Sequence, residues 1–198
     1  AMVTAMSDGD WYTLTGNTGI DAGDYVAIAT LIDTVNTTWS DGTTEPKTIN
    51  WTIAKAPLTI TVKNIEIVVG DETPQFAVSY QGFVLGDNAS SLQGVAVFDC
   101  EYDTTSTIGD YAISVSGLTS SNYSISFKDG TLTALEKSII IPTASTGLTY
   151  NGNEQIGLRN GDGYKLSGTT SSIDSGNYVA IATLVDTVNT TWSDGTTD

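Results

Sequence analysis

The chain has 198 residues, 23 of them acidic and only 7 basic, with no histidine and a formal net charge of −16. Cations this sparse and scattered exclude a phosphate-neutralising face, and an anionic membrane surface would repel the chain. The missing histidine excludes Ser-His-Asp and Cys-His catalysis and any His-ligated zinc.

Only 39% of the residues are hydrophobic, and Thr, Ser, Asn and Gly fill most of the rest. Threonine, tyrosine and valine suit half-buried strands, and Gly, Asn and Asp suit the turns between them. The expectation is an all-β, mostly antiparallel chain of small, sandwich-like modules in tandem. The acidic excess suits a soluble, secreted surface domain.

From the beginning, Ala1–Met6 lacks the basic start and apolar core of a signal peptide. No apolar run, Ser138–Pro142 included, is long enough to span a bilayer. Export and anchoring signals are therefore expected outside these residues. Asp8-Gly9-Asp10 and, later, Asn160-Gly161-Asp162-Gly163 have the oxygen-rich character of calcium loops. Both lack the spaced ligands and terminal Glu of an EF-hand, which favours turns and no cofactor, with calcium as the alternative.

Tyr25–Asp33 reads as a long strand with Tyr25, Ala27, Ala29 and Leu31 on one face. Trp39-Ser40-Asp41-Gly42-Thr43 reads as a turn. Lys47–Ala54 is a second strand, with Ile49, Trp51 and Ile53 inward. Residues 1–56 are thus expected to form one Ig-like repeat that lacks its opening strand.

Residues 57–137 read as a different module, the middle one being open to a β-grasp-like arrangement with one short helix. Leu58–Lys63, Gln75–Tyr80, Val95–Tyr102, Tyr111–Gly117 and Tyr123–Phe127 alternate as strands. Asp129-Gly130 between two alternating runs predicts a hairpin. Asp87–Leu92 predicts the helix, capped by Asp87. Cys100, the single cysteine, cannot form an internal disulfide and is expected as a small hydrophobe in a strand. A covalent dimer or a reactive thiol is the alternative.

Residues 138–198 return to the beginning. Asp174–Thr197 repeats Asp21–Thr44 at 21 of 24 positions, the changes being Ala22 to Ser175, Asp24 to Asn177 and Ile32 to Val185. Upstream, Val3–Gly16 matches Gln155–Gly168 in spacing, with one residue gained before Asp174. Ser138–Gly152 has no counterpart in the first copy, and Glu45–Ala56 has none in the second. Both copies are read as parts of a longer array, each missing a strand, so self-association by strand exchange at the ends is expected.

Asp21/Gly23/Tyr25 and Asp174/Gly176/Tyr178 share an Asp-x-Gly-x-Tyr pattern, with a partial version at Gly109-Asp110-Tyr111. It is similar to a tyrosine corner, in which a Tyr at the start of a strand bonds back to the preceding loop. Its role is architectural.

The order of motifs in the middle module resembles the MBG domain family. Those motifs are Leu58-Thr-Ile-Thr-Val, Val69-Gly-Asp-Glu-Thr-Pro-Gln-Phe, Gly82-Phe-Val-Leu-Gly-Asp, Gly109-Asp-Tyr-Ala-Ile-Ser-Val-Ser-Gly-Leu, Ser121-Asn-Tyr-Ser-Ile-Ser-Phe and Gly130-Thr-Leu-Thr. Val68-Val69-Gly70 departs from it where members often have Tyr-Gly. The flanking copies resemble Ig-like repeats found beside such domains. The resemblance implies a large, adhesin-like surface protein of a bacterium or archaeon and carries over no catalytic residues.

Ligand candidates are Trp39 with Asp41 and Trp192 with Asp194, each pair in a Trp-Ser-Asp-Gly-Thr-Thr run. An exposed indole beside an acid and hydroxyls can stack on a sugar; otherwise it caps a core. The carboxylates Asp71/Glu72 sit in a turn and do not by themselves indicate a glycosidase. Sequons at Asn36, Asn50, Asn88, Asn122 and Asn189 are what this composition yields by chance. A Lys47–Asn50 crosslink would need a buried lysine. The expected function is a structural and adhesive segment of an extracellular fibre or stalk, not an enzyme, with glycan binding through Trp39 and Trp192 as the alternative. A host or microbial surface glycan or protein is the partner it implies.

Overall fold

Alternation of Thr and Ser with Ile, Val, Leu and Tyr gives strands nearly everywhere, and the protein is all-β and mostly antiparallel. The computed structural model describes residues 3–4, 6, 8–84 and 86–197. Parts of three expectations therefore lie outside the described residues: the Ala1–Met6 segment, the upstream match at Val3–Gly16, and the motif Gly82–Asp87 at Leu85.

The first copy contributes β1 (Val3–Thr4), β2 (Tyr12–Thr15), β3 (Thr18–Gly19), β4 (Gly23–Leu31) and β5 (Lys47–Ile53). β1 pairs with β3, and β2-β4-β5 form an antiparallel sheet. The face expected for β4 points inward, burying Ala27, Ala29 and Leu31. Across the ladder Tyr25 faces Trp51, and their rings stack 4.5 Å apart. Gly16 has φ +69°, and a Cβ there would lie 2.3 Å from the Val26 carbonyl oxygen, so only glycine fits this close approach.

The middle segment contributes β6 (Ala56–Val62), β7 (Ile65–Val68), β8 (Val78–Gln81), one 3-10 turn (Ala89–Ser91), β9 (Gln93–Asp99), β10 (Gly109–Thr119), β11 (Tyr123–Lys128) and β12 (Gly130–Leu135). The second copy contributes β13 (Lys137–Ile139), β14 (Gln155–Ile156), β15 (Tyr164–Gly168), β16 (Ser171–Ser172), β17 (Ala180–Leu184) and β18 (Thr190–Trp192).

The chain forms two compact units. One holds Ala1–Val62, Ala77–Phe98 and Ser114–Asp129; the other holds Lys63–Phe76, Asp99–Ile113 and Gly130–Asp198. In the first unit β6 lies between β11, which runs parallel to it, and antiparallel β8. Its inward Leu58, Ile60 and Val62 are buried. Tyr123, also buried, donates its hydroxyl to Asp87 and accepts the Val84 amide at 3.0 Å.

In the second unit β12 lies between parallel β7 and the antiparallel start of β10, burying Ile113, Leu132 and Ala134. The second copy keeps two of the pairings of the first. β14 pairs with β16 as β1 does with β3, and Tyr164 faces Leu184 across β15 and β17 as Tyr12 faces Leu31. It adds a parallel pair, β13 with β18.

Several expectations need correction. Asp129-Gly130 makes no hairpin: β11 pairs with β6, whereas β12 pairs with β7 and β10. Gly130 is buried inside a ladder opposite Ile113, where a turn glycine would be exposed. The expected helix shrinks to the 3-10 turn and its cap is Asn88, whose side chain accepts the Ser90 amide at 2.9 Å. Asp87 is occupied by the Tyr123 hydroxyl instead. The strand expected over Val95–Tyr102 ends at Asp99, leaving Cys100 half-buried just beyond it. The strand expected over Gln75–Tyr80 is Val78–Gln81, and β7 had no counterpart among the expectations.

Candidate functional site

Each Trp-Ser-Asp-Gly-Thr-Thr run folds into the same tight loop. The Trp39 amide donates to the Thr43 carbonyl at 2.9 Å and the Gly42 amide to the Trp39 carbonyl at 2.8 Å; Trp192, Thr196 and Gly195 repeat both bonds at 2.8 Å. The candidate acids close these loops. Asp41 accepts the Thr43 amide at 3.0 Å and hydroxyl at 2.6 Å, and Asp194 accepts from Thr196 at 3.0 and 2.7 Å. Upstream, Asp33 and Asp186 each hold an Asn three residues on, through its backbone and its side chain.

What differs is what covers the indole. Trp192 is 5% exposed and packs with Ile139 and Leu184, with Tyr164 against the cluster. That leaves no ring face for a sugar. Gly163 makes room for this lid, since a Cβ there would sit 2.6 Å from Ile139 Cδ1. The first copy has Trp11 at that position and no described strand over Trp39. Trp39 is half-buried, Trp11 is 66% exposed, and an open cleft of about 490 Å³ lies among Trp11, Tyr12, Asn36 and Trp39. Trp11 was missed because only its mismatch with Gly163 marks it.

The corner tyrosines bond as their motif implies. Tyr25 donates its hydroxyl to the Asp21 carbonyl at 2.7 Å, Tyr178 to Asp174 at 2.9 Å and Tyr111 to Thr107 at 2.7 Å. Gly23 precedes the first with φ +155°, and Gly176 holds the same place before Tyr178. The Asp21 carboxylate does not close its own loop; it accepts the Asn122 side chain at 2.8 Å, while Asn122 Oδ1 accepts the Ala22 amide.

Lys47 donates to Asp41 Oδ2 and to Thr43 Oγ1, both at 2.6 Å, not to Asn50. Its side chain is 36% exposed, so the buried lysine that a crosslink needs is absent from this position. Asp8 turns to the Leu14 amide at 2.6 Å. Among the described residues no three acidic or cysteine side chains gather as metal ligands.

The hydrogen bond from Lys47, then those from the Thr43 hydroxyl and amide, hold the Asp41 carboxyl well below the usual carboxylate range. Asp194 is lowered by the Thr196 hydroxyl and amide, with no lysine in its cause. A carboxyl so depressed contributes stability that is present above its ordinary pKa of about 4 and is lost as pH falls through the lower, folded value. Exposure and salt keep that contribution small. Lys47→Met is expected to move the Asp41 titration upward, toward that of Asp194, in a carboxylate NMR titration. An unmoved Asp41 would assign its shift to the loop alone.

Residues 58–133 match the family model of the MBG domain (YGX type). The matched stretch runs from β6 into β12, so the central segment is similar to an MBG domain. No curated protein and no solved structure matches the chain.

Proposed function

We propose that this chain is a structural repeat segment of an extended extracellular protein of a bacterium or archaeon, part of a stalk or fibre with an adhesive role, and not an enzyme. The observation that carries this reading is the repetition itself. Two copies about 150 residues apart keep the same strand register, the same corner tyrosine and the same acid-closed loops. A catalytic site gains nothing from such copying, whereas length does.

The parallel pairs support a mechanical role. β6 with β11, β7 with β12 and β13 with β18 each join an earlier strand to a later one. Tension applied at the two chain ends pulls the start of the first strand against the end of the second. Each ladder is then loaded in shear, so its hydrogen bonds must break together. No cofactor enters this reading. An antibody raised against the chain is expected to label intact producing cells; label that appears only after permeabilisation would refute the surface location.

A second reading, glycan binding, draws on the cleft between Trp11 and Trp39. Two partly open indoles beside Asn36 and the Thr37 and Ser40 hydroxyls suit a sugar ring. A glycan array with the wild-type chain and Trp39→Ala tests it. Binding lost in the variant supports a ligand site, and no binding to begin with removes one.

A further inference from the structure

In each compact unit one asparagine ties a corner loop to the segment that follows it in the chain. The Asp21–Ala22 peptide has both polar groups taken. Its carbonyl accepts the Tyr25 hydroxyl at 2.7 Å, and its N–H donates to Asn122 Oδ1 at 2.8 Å. The Thr107–Ile108 peptide is used the same way, its carbonyl accepting the Tyr111 hydroxyl at 2.7 Å and its N–H donating to Asn189 Oδ1 at 2.9 Å.

The backbone of each asparagine completes the connection. The Asn122 carbonyl accepts the Ala56 amide at 3.0 Å, and the Asn189 carbonyl accepts the Lys137 amide at 2.9 Å. Ala56 opens β6 and Lys137 opens β13, each opposite the residue after the asparagine in a parallel pair. The strand before each opening is the one that borders the corner loop. Ile53 of β5 lies opposite Gly23, and Ala134 of β12 lies opposite Gly109. Only Ala54 and Lys55 separate β5 from β6, and only Glu136 separates β12 from β13.

Copying does not account for this likeness, because the two asparagines stand in unlike turns, Ser120-Ser-Asn122 and Asp186-Thr-Val-Asn189. The Asn122 amide donates to Ser120 Oγ and the Asn189 amide to Asp186 Oδ1, both at 3.1 Å. Asn122 Nδ2 donates across to Asp21 Oδ1, whereas Asn189 Nδ2 donates back to Asp186 Oδ2, both at 2.8 Å.

We infer that the corner loop is a docking socket between consecutive segments and that Asn122 and Asn189 are its joint residues. Each holds the sheet bearing the loop against the strand that follows, and so limits bending at a linker of one or two residues. Asparagine suits the place because it accepts the loop amide while donating to a carboxylate. An aspartate would lose the donor and set two carboxylates together. The first joint carries one bond more, since Thr107 offers no carboxylate where Asp21 does. Neither joint depends on where the chain is located.

The test is NMR on the full isotope-labelled chain, reading amide exchange and the alignment of the sheets by residual dipolar couplings. Asn122→Ala is expected to speed exchange of the Ala22 amide about 2- to 10-fold, the factor of one hydrogen bond. Asn189→Ala should do the same at Ile108. Each variant should also uncouple the sheets that its joint connects, β2-β4-β5 from β6-β8-β11 and β7-β12-β10 from β15-β17. Asn36→Ala is the control: Asn36 bonds to Asp33 as Asn189 does to Asp186 and, among the described residues, accepts no corner-loop amide. Ile108 should not respond to it. Should the alanine variants unfold, Asp21→Ala removes a single bond of the first joint, and the Asn122 side-chain amide should then exchange faster. Unchanged exchange at any of these amides would overturn the inference, as would an equal response of Ile108 to Asn36→Ala. Faster exchange with the alignment of the sheets intact would reduce the bonds to local caps and overturn it too.

Discussion

Trp192→Ala is expected to destabilise the protein by about 3–5 kcal/mol, the cost of emptying a large aromatic site in a core. Trp39→Ala should cost well under half of that. The two residues stand in identical runs, Thr-Val-Asn-Thr-Thr-Trp-Ser-Asp-Gly-Thr-Thr. Both head the same loop, and both lie near a tyrosine, with ring centroids 5.9 Å apart at Tyr12–Trp39 and 5.7 Å at Tyr164–Trp192. Sequence and local geometry therefore predict equal effects. Burial predicts unequal ones, because Ile139 of β13 and Leu184 enclose only Trp192. Urea midpoints at unchanged slope separate these outcomes. Equal losses would mean that β13 contributes no cover to the second copy.

The second large effect is expected at Ile60. It is fully buried in the middle of β6, opposite Phe127 of β11 and Tyr80 of β8. Ile60→Ala removes three carbons from a site closed on both sides, where relaxation is limited, and should cost about 2–5 kcal/mol. Val97→Ala is the matched control. Val97 also lies in a strand but is 53% exposed, so its loss should stay within about 0.5 kcal/mol. A small loss at Ile60 would contradict the pairing of β6 between β8 and β11.

The alternating runs made much of this fold legible. Tyr25, Ala27, Ala29 and Leu31 share the inward face that their spacing implies, and Ile49, Trp51 and Ile53 alternate as expected. Alternation reports which face is buried but not which strand lies alongside. The parallel partners β11 with β6 and β12 with β7 are therefore invisible to it, and Asp129-Gly130 could be read as a hairpin. β7 is four residues long with Glu66 in its middle, and it becomes a strand only because β12 pairs with it.

The same limit applied to the candidate site. The two Trp-Ser-Asp-Gly-Thr-Thr loops are identical as sequence, and the difference between them comes from β13 and Gly163. The motif at Tyr25, Tyr111 and Tyr178 was legible because its hydroxyl reaches a carbonyl only four residues back. Local bonds can be read along a chain, whereas covers supplied by distant strands cannot.

Single-molecule stretching of the chain from its two ends tests the proposed mechanical role most directly. Shear loading of β6 against β11, with six paired residues, predicts discrete force peaks separated by stretches of released chain. A smooth rise in force with extension and no peaks would contradict a stalk or fibre segment built from these pairs.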